Sequence, residues 1–149
     1  MKATSALDTL ATLNAQQTDA AAQALGVALA QRNEAQQRLA MLQQLRDEYE
    51  QKLQQQTNHG LSFAAYRNFQ SFLLKIDEAI HGQQQITSNA MTRADGAQAQ
   101  WQDKKREGMT WEALRQRSDE AALQKTARHE RKLTDEFAAR AVLRLKEAG

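Results

Sequence analysis

No proline occurs anywhere in the 149 residues, and glycine only six times. Nothing in such a chain locks φ or removes a backbone donor, so helices have few reasons to stop. Cysteine is absent as well, which excludes disulfides and thiolate metal sites. Aromatic residues make up only 5%, and alanine inflates the 41% hydrophobic fraction; mean hydropathy is −0.76. A globular core of this length normally carries more large apolar side chains, so a narrow seam between helices suits the composition better. No apolar run approaches the roughly 20 residues that span a bilayer. The first residues also lack the charged-then-apolar pattern of a secretory leader. A cytoplasmic protein without direct membrane insertion is expected.

Catalytic signatures are equally scarce. His59, His81 and His129 stand far apart, without metal-ligand spacing. No glycine-rich phosphate loop with its lysine is present. The carboxylate neighbours Asp47-Glu48 and Asp77-Glu78 fall on exposed-looking positions, and a helical pair offers no cavity to shift their acidity. The chain is expected not to be an enzyme and to need no cofactor and no metal.

What the sequence does contain is long stretches of Ala, Gln, Leu, Glu, Lys and Arg, mostly strong helix formers. One cluster reads as a turn, Thr57-Asn58-His59-Gly60. Asn58 or Gly60 can take the left-handed conformation that closes a helix, and Ser62 can cap the next one. The expected fold is all-α: two long helices in an antiparallel coiled-coil hairpin forming a single domain over 1–149. The helices should run from about 4–56 and about 62–146, joined by a turn at 57–61.

The periodicity supports this reading. Ala28, Ala35, Leu42 and Tyr49 recur every seven residues, with Leu25, Leu39 and Leu53 between or beyond them. Arg32 and Arg46 interrupt that seam, where an arginine stem can cover a neighbour while its head stays wet. In the second arm Phe69, Leu73, Ile76, Ile80, Gln83, Thr87, Ala90, Ala94, Ala97 and Trp101 alternate by four and three. Bulky residues lie near the turn and small ones farther away, so packing should be tightest near the turn. With the turn centred on residue 59, partner numbers sum to about 118, and everything after Leu114 has no partner arm.

Two surpluses of apolar residues remain. Leu45, Phe72 and Ala79 flank the seam and should leave a partly exposed patch near the turn, unless a rotated seam or a third helix covers them. Beyond Leu114, Leu123, Leu133, Phe137, Ala141 and Leu145 persist in a stretch with no partner. They either continue a pattern, fold back onto the hairpin, or dock on another protein.

Charge is unevenly placed: Lys and Arg number 8 against 9 Asp and Glu through Trp101, and 12 against 9 afterwards. Acids interleave the basic end, as on a solvated helix face laced with i,i+4 pairs. Trp101 and Trp111 bracket Asp103-Lys104-Lys105-Arg106. That placement can serve nucleic acid, but Trp101 fits the seam and Trp111 fits end packing, so no nucleic-acid partner is expected. A nucleic-acid-binding coiled coil stays as an alternative.

Several segments together resemble a known family. They are Leu7-Asp8-Thr9-Leu10, Met41-Leu42, Glu48-Tyr49, Tyr66-Arg67-Asn68-Phe69-Gln70-Ser71-Phe72, Asp77-Glu78-Ala79-Ile80, Trp101 to Arg106 and Asp135-Glu136-Phe137-Ala138-Ala139-Arg140-Ala141. In order, spacing and total length the series resembles the FliJ family of the flagellar type III export apparatus. The resemblance implies a cytoplasmic antiparallel coiled coil similar to the central stalk of rotary ATPases, peripheral to the inner membrane through the export apparatus. Implied partners are the hexameric export ATPase FliI, the export gate protein FlhA and the export chaperones; the chain by itself is expected to be a monomer. The family's gate-binding patch near the turn is matched here by Leu42, Tyr49, Phe72, Ile76 and Ala79, while Arg38, Leu45 and Gln83 depart from it. For the ATPase, the resemblance points to the termini, and charge nominates Lys125, Arg128, Arg131, Arg140 and Arg144. An equivalent stalk of a virulence injectisome is a further alternative.

Overall fold

A computed structural model describes the backbone over residues 2–148 and the side chains over 5–148. Helix α1 runs Lys2–Asn58 and helix α2 runs Phe63–Ala148. Both are unbroken, as a proline-free sequence of strong helix formers requires. No strand is present among the described residues.

The reversal uses few atoms. His59 N–H donates to Gln56 O at 3.2 Å and Gly60 N–H to Thr57 O at 3.3 Å, satisfying the last carbonyls of α1. Gly60 has φ of 88°, a left-handed conformation that a Cβ would disfavour. Ser62 Oγ then accepts from Ala65 N–H at 3.2 Å, capping α2 as expected.

The helices pack in two compact units. One spans Thr18–Asp103 and contains the turn; the other combines the residues up to Gln17 with those from Lys104 onward. In the first, residues 21, 25, 28, 32, 35, 39, 42, 46, 49 and 53 of α1 are buried or half-buried, each four or three steps from the last. Their counterparts on α2 step the same way from Leu73 to Trp101. This is the interlocking of two helices along a 3.5-residue repeat.

Burial is deepest away from the turn: Ala94 is 1% exposed, Ala90 2% and Ala35 5%. The expectation that packing would be tightest near the turn is therefore corrected. A methyl group is covered completely between two helices, whereas a leucine or phenylalanine reaches past its partner into water. Beside the alanines the seam closes through polar side chains. Gln83 Nε2 donates to Ala35 O at 3.1 Å, and Thr87 Oγ1, which donates to Gln83 O at 2.8 Å, lies 3.3 Å from the same Ala35 O. Arg46 crosses the seam to Asp77 and reaches Glu50 at 2.7 Å. Its pKa is held above the ordinary arginine value by the Asp77 hydrogen bond first, then by the charges of Asp77 and Glu50.

In the second unit Leu7, Ala11 and Trp111 are half-buried around a polar centre. Asn14, 5% exposed, donates from Nδ2 to Lys104 O at 3.4 Å and to Glu107 Oε2 at 3.3 Å. Lys104 Nζ donates to Gln17 Oε1 at 3.1 Å, and Arg115 pairs with Asp8 at 3.1 Å. Gly108 makes room for this centre: a Cβ there would lie 2.8 Å from Asn14 Oδ1. Periodicity gave no hint of that close approach, because neither residue is apolar. By contrast, a Cβ at Gly26, Gly82 or Gly96 would meet nothing within 4 Å.

Cross-helix partners have numbers summing to between 118 and 123. The reversal is thus centred one to two residues later than expected, and pairing reaches Arg115 and half-buried Ser118 rather than ending at Leu114. From 119 to 148 every described residue is exposed.

Candidate functional site

Two surfaces stand out, one in each unit. Near the turn the seam supplies its own floor: Ile76, 4% exposed, is buried, and Leu42 and Tyr49 are half-buried. Ile76 therefore supports the patch from beneath while its neighbours face water. Phe72 at 41% and Leu45 at 40% are exposed, as is Ala79. Tyr49 holds the cluster together, stacked on Phe72 at 4.4 Å between ring centroids and tilted against Phe69 at 5.4 Å. Such pairs stabilise by about 0.5–1.5 kcal/mol beyond area burial.

Why these side chains stay outside follows from helix geometry. In a two-helix seam only the a and d positions are covered, and Leu45, Phe72 and Ala79 occupy the adjoining g positions on one side. The other side is wet, with Glu50, Asp77 and the Arg46 guanidinium. A shallow groove of about 310 Å³ opens between Tyr49, Ala65, Asn68, Phe69 and Phe72. A second, of about 390 Å³, lies along Met41, Leu42, Gln44, Leu45 and Glu48. The seam pattern did not single out Met41, 69% exposed along the second groove, or Phe63, 75% exposed on the opposite side of α2 beneath Arg67. Their signal was simply being large and off the seam.

The other surface is the unpaired end of α2. Leu123, Phe137 and Leu145 are 70–75% exposed and Leu133 is 52% exposed. They do not continue the hairpin seam. Stepping onward from Lys104, Gly108, Trp111, Arg115 and Ser118 leads to Ala122, Lys125, His129, Lys132 and Glu136. The line through Leu123, Leu133, Phe137, Ala141 and Leu145 is turned from that path by about a quarter of a turn or more. It is a separate face, and it is exposed.

The five nominated cations are all exposed, but helix spacing divides them. Arg140 and Arg144, three and seven residues beyond Phe137, flank the apolar face, whereas Lys125, Arg128 and Arg131 point about a third to half of a turn away. One flat partner surface cannot meet all five; an enclosing one can.

No group of His, Cys, Asp and Glu suited to a metal occurs among the described residues, and no described helix is long and apolar enough to cross a membrane. The arrangement offers docking surfaces.

Comparison with known proteins follows the same line. The family described as "Flagellar FliJ protein" matches residues 2–147. The chain is 31% identical over 142 residues to the flagellar FliJ protein of Salmonella typhi, covering 95% of this chain and 97% of that one. The flagellar FliJ protein of Escherichia coli K12 shows the same identity and coverage. A match of this extent, running through both helices and the turn, leaves the injectisome alternative without comparable support: the chain belongs to the flagellar FliJ family.

Proposed function

We propose that this flagellar export component is a non-enzymatic stalk that binds and stimulates the hexameric export ATPase and links it to the export gate protein, while also meeting export chaperones. The observation that carries this reading is the stretch 119–148, helical throughout yet exposed at every position. A lone helix of some 30 residues is marginal in water, and its apolar face lies off the hairpin seam. A surrounding protein ring would bury that face and meet the cations on the remaining sides together.

The mechanism requires no chemistry on the chain. Six identical subunits enclosing one helix meet six different sets of side chains: Phe137 and Leu145 on one side, Arg128 and Arg131 on another. Contacts to equivalent subunits become inequivalent, and differential binding of this kind biases which subunit closes. Peripheral association with the inner membrane then follows from the gate contact alone.

Deleting Gln124–Gly149 tests this. Stimulation of the cognate ATPase and of its ring assembly should be abolished, while circular dichroism and melting of the hairpin remain. Full stimulation by the truncated chain would sink the placement. In parallel, Phe72→Ala should weaken gate binding about tenfold or more, in the range of an aromatic anchor, with ATPase stimulation unchanged.

A further inference from the structure

The apolar patch near the turn does not stand alone on its side of the hairpin. The same g positions, followed away from the turn, change character heptad by heptad, each step covering about 10 Å. Leu45, Phe72 and Ala79 come first, where Glu48 stands with Lys52 and Lys75. One heptad on stand Arg38 and Ile86, and one beyond that Gln31 and Arg93. Here the two helices line a groove of about 190 Å³ with Glu34, Arg38, Gln83, Ile86, Ala90 and Arg93. Ile86 is 54% exposed, so the groove has an apolar strip on its wall.

Its charge is lopsided. Arg38 is paired with Glu34 at 2.8 Å, but both side chains are more than 60% exposed, and an ion pair so wet contributes little and exchanges readily. Arg93 has no acidic partner among the described residues. The groove therefore ends in two guanidiniums with one carboxylate between them, whereas the opposite side of the hairpin satisfies Arg46 with Asp77 and Glu50.

We infer that the patch is one half of a longer docking groove, about 30 Å from Phe72 to Arg93, that takes an acidic amphipathic helix of the partner. The inference rests on the gate-binding reading above and assigns its chemistry. The partner helix lays an apolar stripe, stepping by three and four over about fourteen residues, against Leu45, Phe72, Ala79 and Ile86, as a third helix enters the gap beside a two-helix seam. Its carboxylates meet Arg38 and Arg93, whose planar forks suit bidentate pairing. Apolar contact supplies most of the affinity, and the arginines set the register of the helix.

The test measures binding of the cytoplasmic part of the cognate gate protein to the full chain at low and at high salt. Arg93→Glu should weaken binding about five- to tenfold at low salt and much less at high salt, Arg93→Lys should weaken it less than Arg93→Glu without matching the wild type, and Phe72→Ala should weaken binding at both. Loss on Phe72→Ala with no effect of Arg93→Glu and no salt dependence overturns this inference and spares the gate-binding reading. Loss on Arg93→Glu with none on Phe72→Ala overturns the single continuous groove. No loss in either variant overturns both.

Discussion

The stretch near the turn and the last thirty residues of α2 are built from the same kind of sequence and end in different physical states. Both carry leucines and a phenylalanine at helical spacing. Near the turn α1 lies alongside, so Ile76 is 4% exposed and Tyr49 is held between two rings. In the distal stretch every described residue is exposed, Phe137 at 75%. Hydrophobic stabilisation scales with area removed from water, so equal residue types contribute unequally. The one region is stabilised within the chain, and the other keeps its apolar face in water.

That contrast can be broken most forcefully at Ile76. Ile76→Ala removes buried atoms and leaves a hole in the seam, so it should cost about 2–4 kcal/mol, read as a lower urea midpoint. A cost as small as that of a surface change would show the seam to be malleable and the contrast to be one of degree.

An intermediate effect is expected at the polar centre of the unit containing both chain ends. Gly108→Ala gains about 1 kcal/mol of helix propensity but drives a methyl group against Asn14 Oδ1, 2.8 Å away. In the wild-type background the substitution should be neutral or destabilising. In an Asn14→Ala background it should stabilise by about 1 kcal/mol, a coupling that a double-mutant cycle reads directly. Additive behaviour would remove Asn14 and Gly108 as a mutually fitted pair.

The smallest effect sharpens the other side of the comparison. Phe137→Ala should change the stability of the isolated chain by less than about 0.5 kcal/mol, yet lower ATPase stimulation severalfold. A large loss of stability instead would mean that this face is already buried in the free chain.

Much of this was legible beforehand, for a definite reason. A proline-free run of helix formers with a single Asn-His-Gly cluster permits one reversal. The four-three alternation from Leu25 to Leu53 and from Leu73 to Trp101 names the seam, because a helix repeats its faces every 3.5 residues when it supercoils. The exposed trio Leu45, Phe72 and Ala79 followed from the same count. Less was legible where side chains act by shape or by hydrogen bonding. Asn14 sits in the seam and looks like a flaw until Lys104 O, Glu107 and the bare Cα of Gly108 are brought opposite it.

Helix type, turn position and the existence of two apolar surpluses were thus determined by sequence alone, through local backbone preference and periodicity. Tertiary structure decided where pairing ends, which depended on one or two residues of turn geometry carried down both helices. It also decided that alanine, not leucine, is the most completely covered residue, and that the distal apolar face is turned away from the seam. These depend on distances between helices and on accumulated rotation, and a linear pattern specifies neither until the partner helix is in place.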